Sequence, residues 1–193
     1  VAAYMIEGKA GHAFLKLRNL LFKEPETFHL LMDKVSQLTA KYLIAQVKAG
    51  ANALMLFDSH AGVLSPMDYL VYNLPYVKRI IAEIKSAGVP IIYFGLGQHD
   101  TLEEIGACGA DVIGVDYVLR LDNAIAKLGQ GVTVQGNIEP YVLFQPDQIE
   151  KRTREVLDQG RGARAHIFNL GHGVPQGTPP ENARKMVEVV HNY

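Results

Sequence analysis

Two short segments place ionisable and hydroxyl side chains close enough together to do chemistry. Phe57-Asp58-Ser59-His60-Ala61-Gly62 joins a carboxylate, a hydroxyl and an imidazole, a set able to form a hydrogen-bonding floor for a polar substrate. The same residues suit a plain turn, with Asp and Ser bonding local backbone and Gly making the reversal. Phe168-Asn169-Leu170-Gly171-His172-Gly173 sets a histidine between glycines. Small neighbours let backbone approach a ligand while the imidazole titrates near neutral pH, although a lone histidine is more often structural. Gln135-Gly136-Asn137-Ile138-Glu139-Pro140 reads first as turn chemistry and second as a ligand-facing amide loop.

Other chemistries find less support. Gly95-Leu96-Gly97 follows an apolar run as a phosphate loop would, but it lacks a third glycine and no helix opens directly on it. Asp58, Ser59 and His172 can be drawn as a triad, yet no nucleophile elbow surrounds Ser59. His29 falls mid-helix, His191 near the C-terminus and His12 in a leading loop, so the seven histidines suggest no metal-ligand cluster. Cys108 is the only cysteine. It cannot form an internal disulfide, and its place at a helix-to-glycine junction suits a small buried thiol.

The elements that must position these groups follow one repeated pattern. An amphipathic helix closes on Gly50, Gly88, Gly109, Gly129 or Gly160, and a short apolar run follows each time. Glycine after a helix takes the left-handed capping conformation, so the pattern predicts five αβ units in series. Single helices between strands require parallel strands, and their near-continuous apolar character fits burial on both faces. The helices are expected at roughly 26–49, 66–87, 102–107, 121–128, 147–157 and 181–191. Residues 1–4 read as the tail of a strand.

An open doubly wound sheet and a (β/α)8 TIM barrel both fit serial parallel units. The segments after all five predicted strands are polar, and a barrel gathers every strand end around one site, so the barrel is favoured. Because a full barrel takes about 250 residues, the 193 residues here are expected to be a C-terminal fragment with about five of the eight units, forming a single domain over 1–193.

Composition narrows the function classes. The chain is 48% hydrophobic and 20% charged, which excludes a disordered chain, and 19 Lys+Arg against 20 Asp+Glu give a net charge of -1. Nucleic-acid binding through phosphates needs a basic excess that is missing. No apolar stretch reaches membrane-spanning length. The expected compartment is the cytoplasm, or the plastid stroma in a photosynthetic eukaryote.

Taken together, the motifs resemble those of the uroporphyrinogen decarboxylase family. The resemblance runs through Tyr4-Met5-Ile6-Glu7-Gly8, Gln46 to Ala51, Phe57 to Gly62, Leu74-Pro75-Tyr76, Gly109 to Asp116, Gln135-Gly136-Asn137 and His166 to Gly173, in family order. It implies a cofactor-free, metal-free homodimeric barrel that removes CO2 from the four acetate side chains of the tetrapyrrole uroporphyrinogen III, giving coproporphyrinogen III. By motif position it implies that Tyr4 hydrogen-bonds substrate, that Ser59 contacts a substrate carboxylate, that His172 stands at the cleft and that Phe57 lines it.

Tyr4 and His172 are then the candidates for proton handling, since both donate and accept. The family's arginine-rich segment and its principal catalytic aspartate are expected before Val1, leaving this piece inactive alone. Tyr117 stands where the family often has Trp, and Ile138-Glu139 where it has Leu-Asp; both swaps keep chemical type. Two alternatives stand beside this reading: a zinc-dependent corrinoid or thiol methyltransferase of the same superfamily, which a single cysteine ill suits, and a non-catalytic porphyrin-binding module.

Overall fold

The computed structural model describes residues 1–8 and 14–193; residues 9–13, His12 among them, lie outside the described residues. Strands β1 (Leu54–Asp58), β2 (Ile91–Gly95), β3 (Val112–Gly114), β4 (Thr133–Ile138) and β5 (Ala165–Leu170) form one sheet in that order, each parallel to the next. The order decides between the two architectures. A doubly wound sheet reverses its strand order at the ligand crevice, and this sheet never reverses. Right-handed crossovers then send the helices to one face, as in a (β/α)8 barrel, of which the described residues supply five strands.

Register divides the sheet into two faces. Leu56, Tyr93, Ile113, Val134 and His166 stand side by side across the strands, and so do Phe57, Phe94, Gly114, Gln135 and Ile167. Successive residues of a strand point to opposite faces, so the two rows face apart. The first, with Leu54 and Ile91, packs under the helices in the main core, apart from half-buried His166. The second faces the barrel interior, where Phe57 at the β1 edge is 63% exposed and Ile167 at the β5 edge 42%.

The helices are α1 (Ala2–Glu7), α2 (Leu15–Lys23), α3 (Pro25–Lys48), α4 (Pro66–Tyr72), α5 (Leu74–Ile84), α6 (Leu102–Gly106), α7 (Leu121–Leu128), α8 (Pro146–Gly160) and α9 (Pro180–His191). Several depart from the sequence-based expectation. Residues 1–4 are not a strand tail: Ala2, Ala3, Met5 and Glu7 are good helix formers, and α1 ends at Gly8 with φ 76°. A short apolar run gives periodicity too little length to separate strand from helix. Helix α2 was not expected at all. It buries Leu17 and Leu21, one turn apart, and the Leu17 N–H donates to Glu7 Oε1 at 2.9 Å, which satisfies a first-turn donor and ties α2 to α1.

The helix expected over 66–87 breaks at Asn73, because Pro75 has no N–H to offer the Val71 carbonyl one turn back. Ser65 caps α4, its Oγ accepting from the Asp68 N–H at 3.2 Å, with Pro66 in the first turn. Of the five helix-closing glycines, Gly50, Gly88, Gly109 and Gly129 have positive φ. Gly160 instead lies inside α8, where an added Cβ would overlap the His166 ring. That ring cannot simply swing away, since its Nε2 lies 2.7 Å from the Gly136 carbonyl oxygen. Close packing, not capping, requires this glycine. Among the described residues no helix is long and apolar enough to cross a membrane.

Gly160→Ala should therefore cost about 2 kcal/mol by overpacking, read as a shift in denaturation midpoint. Adding His166→Ala should return part of that loss; strict additivity of the two changes would mean that the ring is not what Gly160 accommodates.

Candidate functional site

A cavity of about 650 Å³ opens beside the carboxyl end of β1. Tyr4 from α1, Phe57 from β1, Ser59 from the turn that follows it and His172 from the loop after β5 all line it. Residues separated by most of the chain are thus brought to one concave surface. Its apolar wall includes Phe28 and Met32 of α3 with Val77 and Ile80 of α5, and Asp58, His60 and Asn73 join the polar side.

Tyr4 is half exposed, and its ring meets His60 edge-on with centroids 5.0 Å apart. Phe14, the N-cap residue of α2, approaches the same imidazole at 5.2 Å. The Ser59-His60 turn is thereby held between the starts of the two N-terminal helices. The sequence motif contained His60, but its supporting contact with Tyr4 depends on the position of α1.

Asp58 as a residue is half-buried, while its carboxyl is closely surrounded by protein. Burial pushes its pKa above the usual carboxyl value, an effect partly offset by a hydrogen bond from the Asn73 side-chain amide. Asn73 was not anticipated as a site residue; it sits at the helix break that Pro75 imposes, and only that break turns its amide toward β1. Below them the Tyr69 and Tyr93 hydroxyls lie 2.6 Å apart in the core, and burial raises both phenol pKa values well above the usual. Both phenols stay neutral across the physiological range.

On the opposite side, the Gly173 N–H donates to His172 Nδ1 at 2.8 Å. In the neutral ring this places the proton on Nε2 and makes His172 a donor through that atom. The sequence reading took the flanking glycines as room for a ligand. At Gly171 the structure gives a further reason, since an added Cβ would overlap the backbone of Tyr117, whereas nothing lies within 4 Å of one on Gly173. Gln135 and Asn137, read first as turn residues, lie inside β4. The Asn137 amide donates to the carbonyls of Asp116 at 2.8 Å and Leu119 at 2.6 Å, so it serves the loop after β3.

Cys108 is buried at the junction before β3, packed in the main core. Among the described residues no three His, Cys, Asp or Glu side chains are grouped to hold a metal ion. A smaller hollow of about 120 Å³ contains Arg120 and Arg152, but these already pair with Asp122 and Glu155.

The sequence profile described as uroporphyrinogen decarboxylase (URO-D) matches residues 1–193. The chain belongs to the uroporphyrinogen decarboxylase family. It is 45% identical over 191 residues to the uroporphyrinogen decarboxylase of Desulfotalea psychrophila, with 98% of this chain and 56% of that protein covered. The match to the Geobacter sulfurreducens uroporphyrinogen decarboxylase is 43% over 192 residues, covering 99% and 56%. The chain therefore spans a little over half the length of these curated uroporphyrinogen decarboxylases. Among solved structures, a methyltransferase from Methanosarcina mazei superposes with a TM-score of 0.81 at 18% identity, covering 92% of this chain and 52% of that one. At that identity the likeness shows a shared fold alone.

The Asp58 carboxyl allows a test of the site's electrostatics. Because its folded-state pKa lies above the unfolded value, the native state holds the proton more tightly, and stability falls as pH rises through this window. Asp58→Asn, whose amide oxygen can still accept from Asn73, should gain stability relative to the parent between pH 4 and 7. Thermal melts across that range check it; a pH-independent difference would mean that this ionisation is not the cause.

Proposed function

We propose that this chain supplies the C-terminal side of the substrate cleft of a uroporphyrinogen decarboxylase, as one domain over residues 1–193. The observation that carries the reading is the convergence of Tyr4, Phe57, Ser59 and His172 on one cavity of about 650 Å³, in a chain of this family. The whole protein would remove CO2 from the acetate side chains of uroporphyrinogen III to give coproporphyrinogen III, as a homodimer in the cytoplasm or plastid stroma.

The chemistry divides the labour. Breaking the bond from an acetate CH2 to its carboxylate releases CO2 and leaves an electron pair on the CH2 carbon. A pyrrole ring protonated beforehand accepts that pair, and a second proton on the CH2 carbon, with loss of the first from the ring, completes a methyl group. The ring cation needs a nearby carboxylate, which we place, with the arginines that meet the substrate carboxylates, N-terminal to Val1. The present residues would bind and orient. Ser59 hydrogen-bonds a substrate carboxylate, Phe57 packs along the macrocycle, and Tyr4 and the His172 Nε2–H offer protons to acetate or pyrrole groups.

The isolated 193-residue chain should show no measurable conversion of uroporphyrinogen to coproporphyrinogen, whereas the full-length protein should turn over. In the full-length protein, Ser59→Ala and Tyr4→Phe should each lower kcat/KM by about ten-fold, the loss expected for one hydrogen bond to a charged or polar group. His172→Asn should retain fold and lose more if it also handles protons. Binding of uroporphyrinogen without CO2 release by the full-length protein would replace the enzyme with a porphyrin-binding module. Turnover by the isolated chain would show that the essential carboxylate lies within it.

A further inference from the structure

One buried side chain ties the loops at the strand ends together. Asp116, 2% exposed, follows β3. Its Oδ2 accepts from the Gly97 N–H at 2.7 Å and its Oδ1 from the Val118 N–H at 2.9 Å. His99 Nε2 lies 2.8 Å from both oxygens. A single carboxyl thus joins the loop after β2 to the loop after β3, and hydrogen bonds to a charged group are the strong ones.

Two short paths lead from it to the cavity. On the β1 side, Gly97 is pressed against Gly62, where an added Cβ would stand 3.0 Å from the Leu96 carbonyl oxygen and 3.3 Å from the Gly97 Cα. The Gly62 N–H donates to Leu96 O at 2.8 Å, and Gln98 Nε2 donates to Ala61 O at 2.7 Å. The loop after β2 therefore holds the turn that presents Ser59. On the β5 side, Gly171 lies against the Tyr117 backbone with no room for a Cβ, and its N–H donates to Ile138 O at 2.9 Å. The loop after β3 is therefore the surface on which the His172 loop rests.

We propose that Asp116, held by His99, is the positioning residue of this cleft. Neither lines the cavity; together they set Ser59 and His172 in mutual register, through Gly97 on one side and Tyr117 on the other. The inference rests on the reading of the cavity as the tetrapyrrole cleft and adds to it a residue that touches no substrate. Both loops are fastened at this one carboxyl, one backing the Ser59 turn and the other the His172 loop, so its loss displaces both at once.

In the full-length protein, Asp116→Asn keeps the shape but turns one acceptor into a donor aimed at N–H groups. KM for uroporphyrinogen should rise about ten-fold, with kcat changed less. Combining it with Ser59→Ala should give less than the sum of the two effects, because both remove the same contact. His99→Gln, which can still offer an N–H to the carboxyl, should keep the parental KM, and His99→Phe should raise it. Amide hydrogen exchange at Gly62, Gly97, Val118 and Gly171 should accelerate in Asp116→Asn and in His99→Phe. Exchange is read without turnover, so it decides the positioning role even if the parent does not decarboxylate uroporphyrinogen, an outcome that would instead sink the functional reading. Parental KM and parental exchange in Asp116→Asn, or equal behaviour of the two His99 variants, would overturn the proposal. If Asp116→Asn does not fold, the His99 pair decides.

Discussion

Parallel pairing of each strand with its successor in sequence is the constraint on which the remaining structure depends. It keeps the carboxyl ends of the five strands on one rim and the helices that connect them on one face. It also leaves the apolar rows of β1 to β4 nowhere to go but under those helices, which is where the main core lies. The opposite row, with Phe57 and Ile167 at its two edges, faces the barrel interior. Side chains at the rim are freed from core packing by the same geometry and remain available for chemistry.

Glycines do two different things in this frame. At positions 50, 88, 109 and 129 they turn the chain out of a helix with positive φ, a local task. At 62, 160 and 171 they permit backbone or ring atoms from another element to come close, a task set by tertiary packing. The second group matters more for the candidate site, because Gly62 and Gly171 seat the turns that carry Ser59 and His172. Polar groups behind the rim act likewise. The Asn137 amide and the Asp116 carboxyl satisfy backbone groups of neighbouring loops, and in doing so they convert flexible connections into fixed ones.

The electrostatics of the cleft follow from how far each group is removed from water. Asp58 and the Tyr69–Tyr93 pair are all pushed toward their neutral forms by burial, and His166 on the helix side of β5 is held below its usual pKa for the same reason. His172, by contrast, belongs to an exposed loop whose own backbone sets its tautomer.

Local pattern alone determined the alternation of helices with apolar runs and the parallel sense of the strands, because helix capping and hydrophobic periodicity act over a few residues and leave their mark in the chain; the family was legible from the likeness of its motifs, in order, to those of a known family. The types of the rim residues Ser59 and His172 were legible for the same reason. Their meeting with Tyr4 was implied by the family resemblance, but the helices that hold Tyr4 there were not read, since α1 and α2 are short and defined by Glu7 reaching Leu17 and by rings packing on His60. Nor was the helix break that turns Asn73 toward Asp58 read from Pro75, or the need for Gly160 and Gly171, whose reason is an atom on a distant element. Contacts between residues far apart in the chain have no period to betray them, and only the folded arrangement decides which pairs meet.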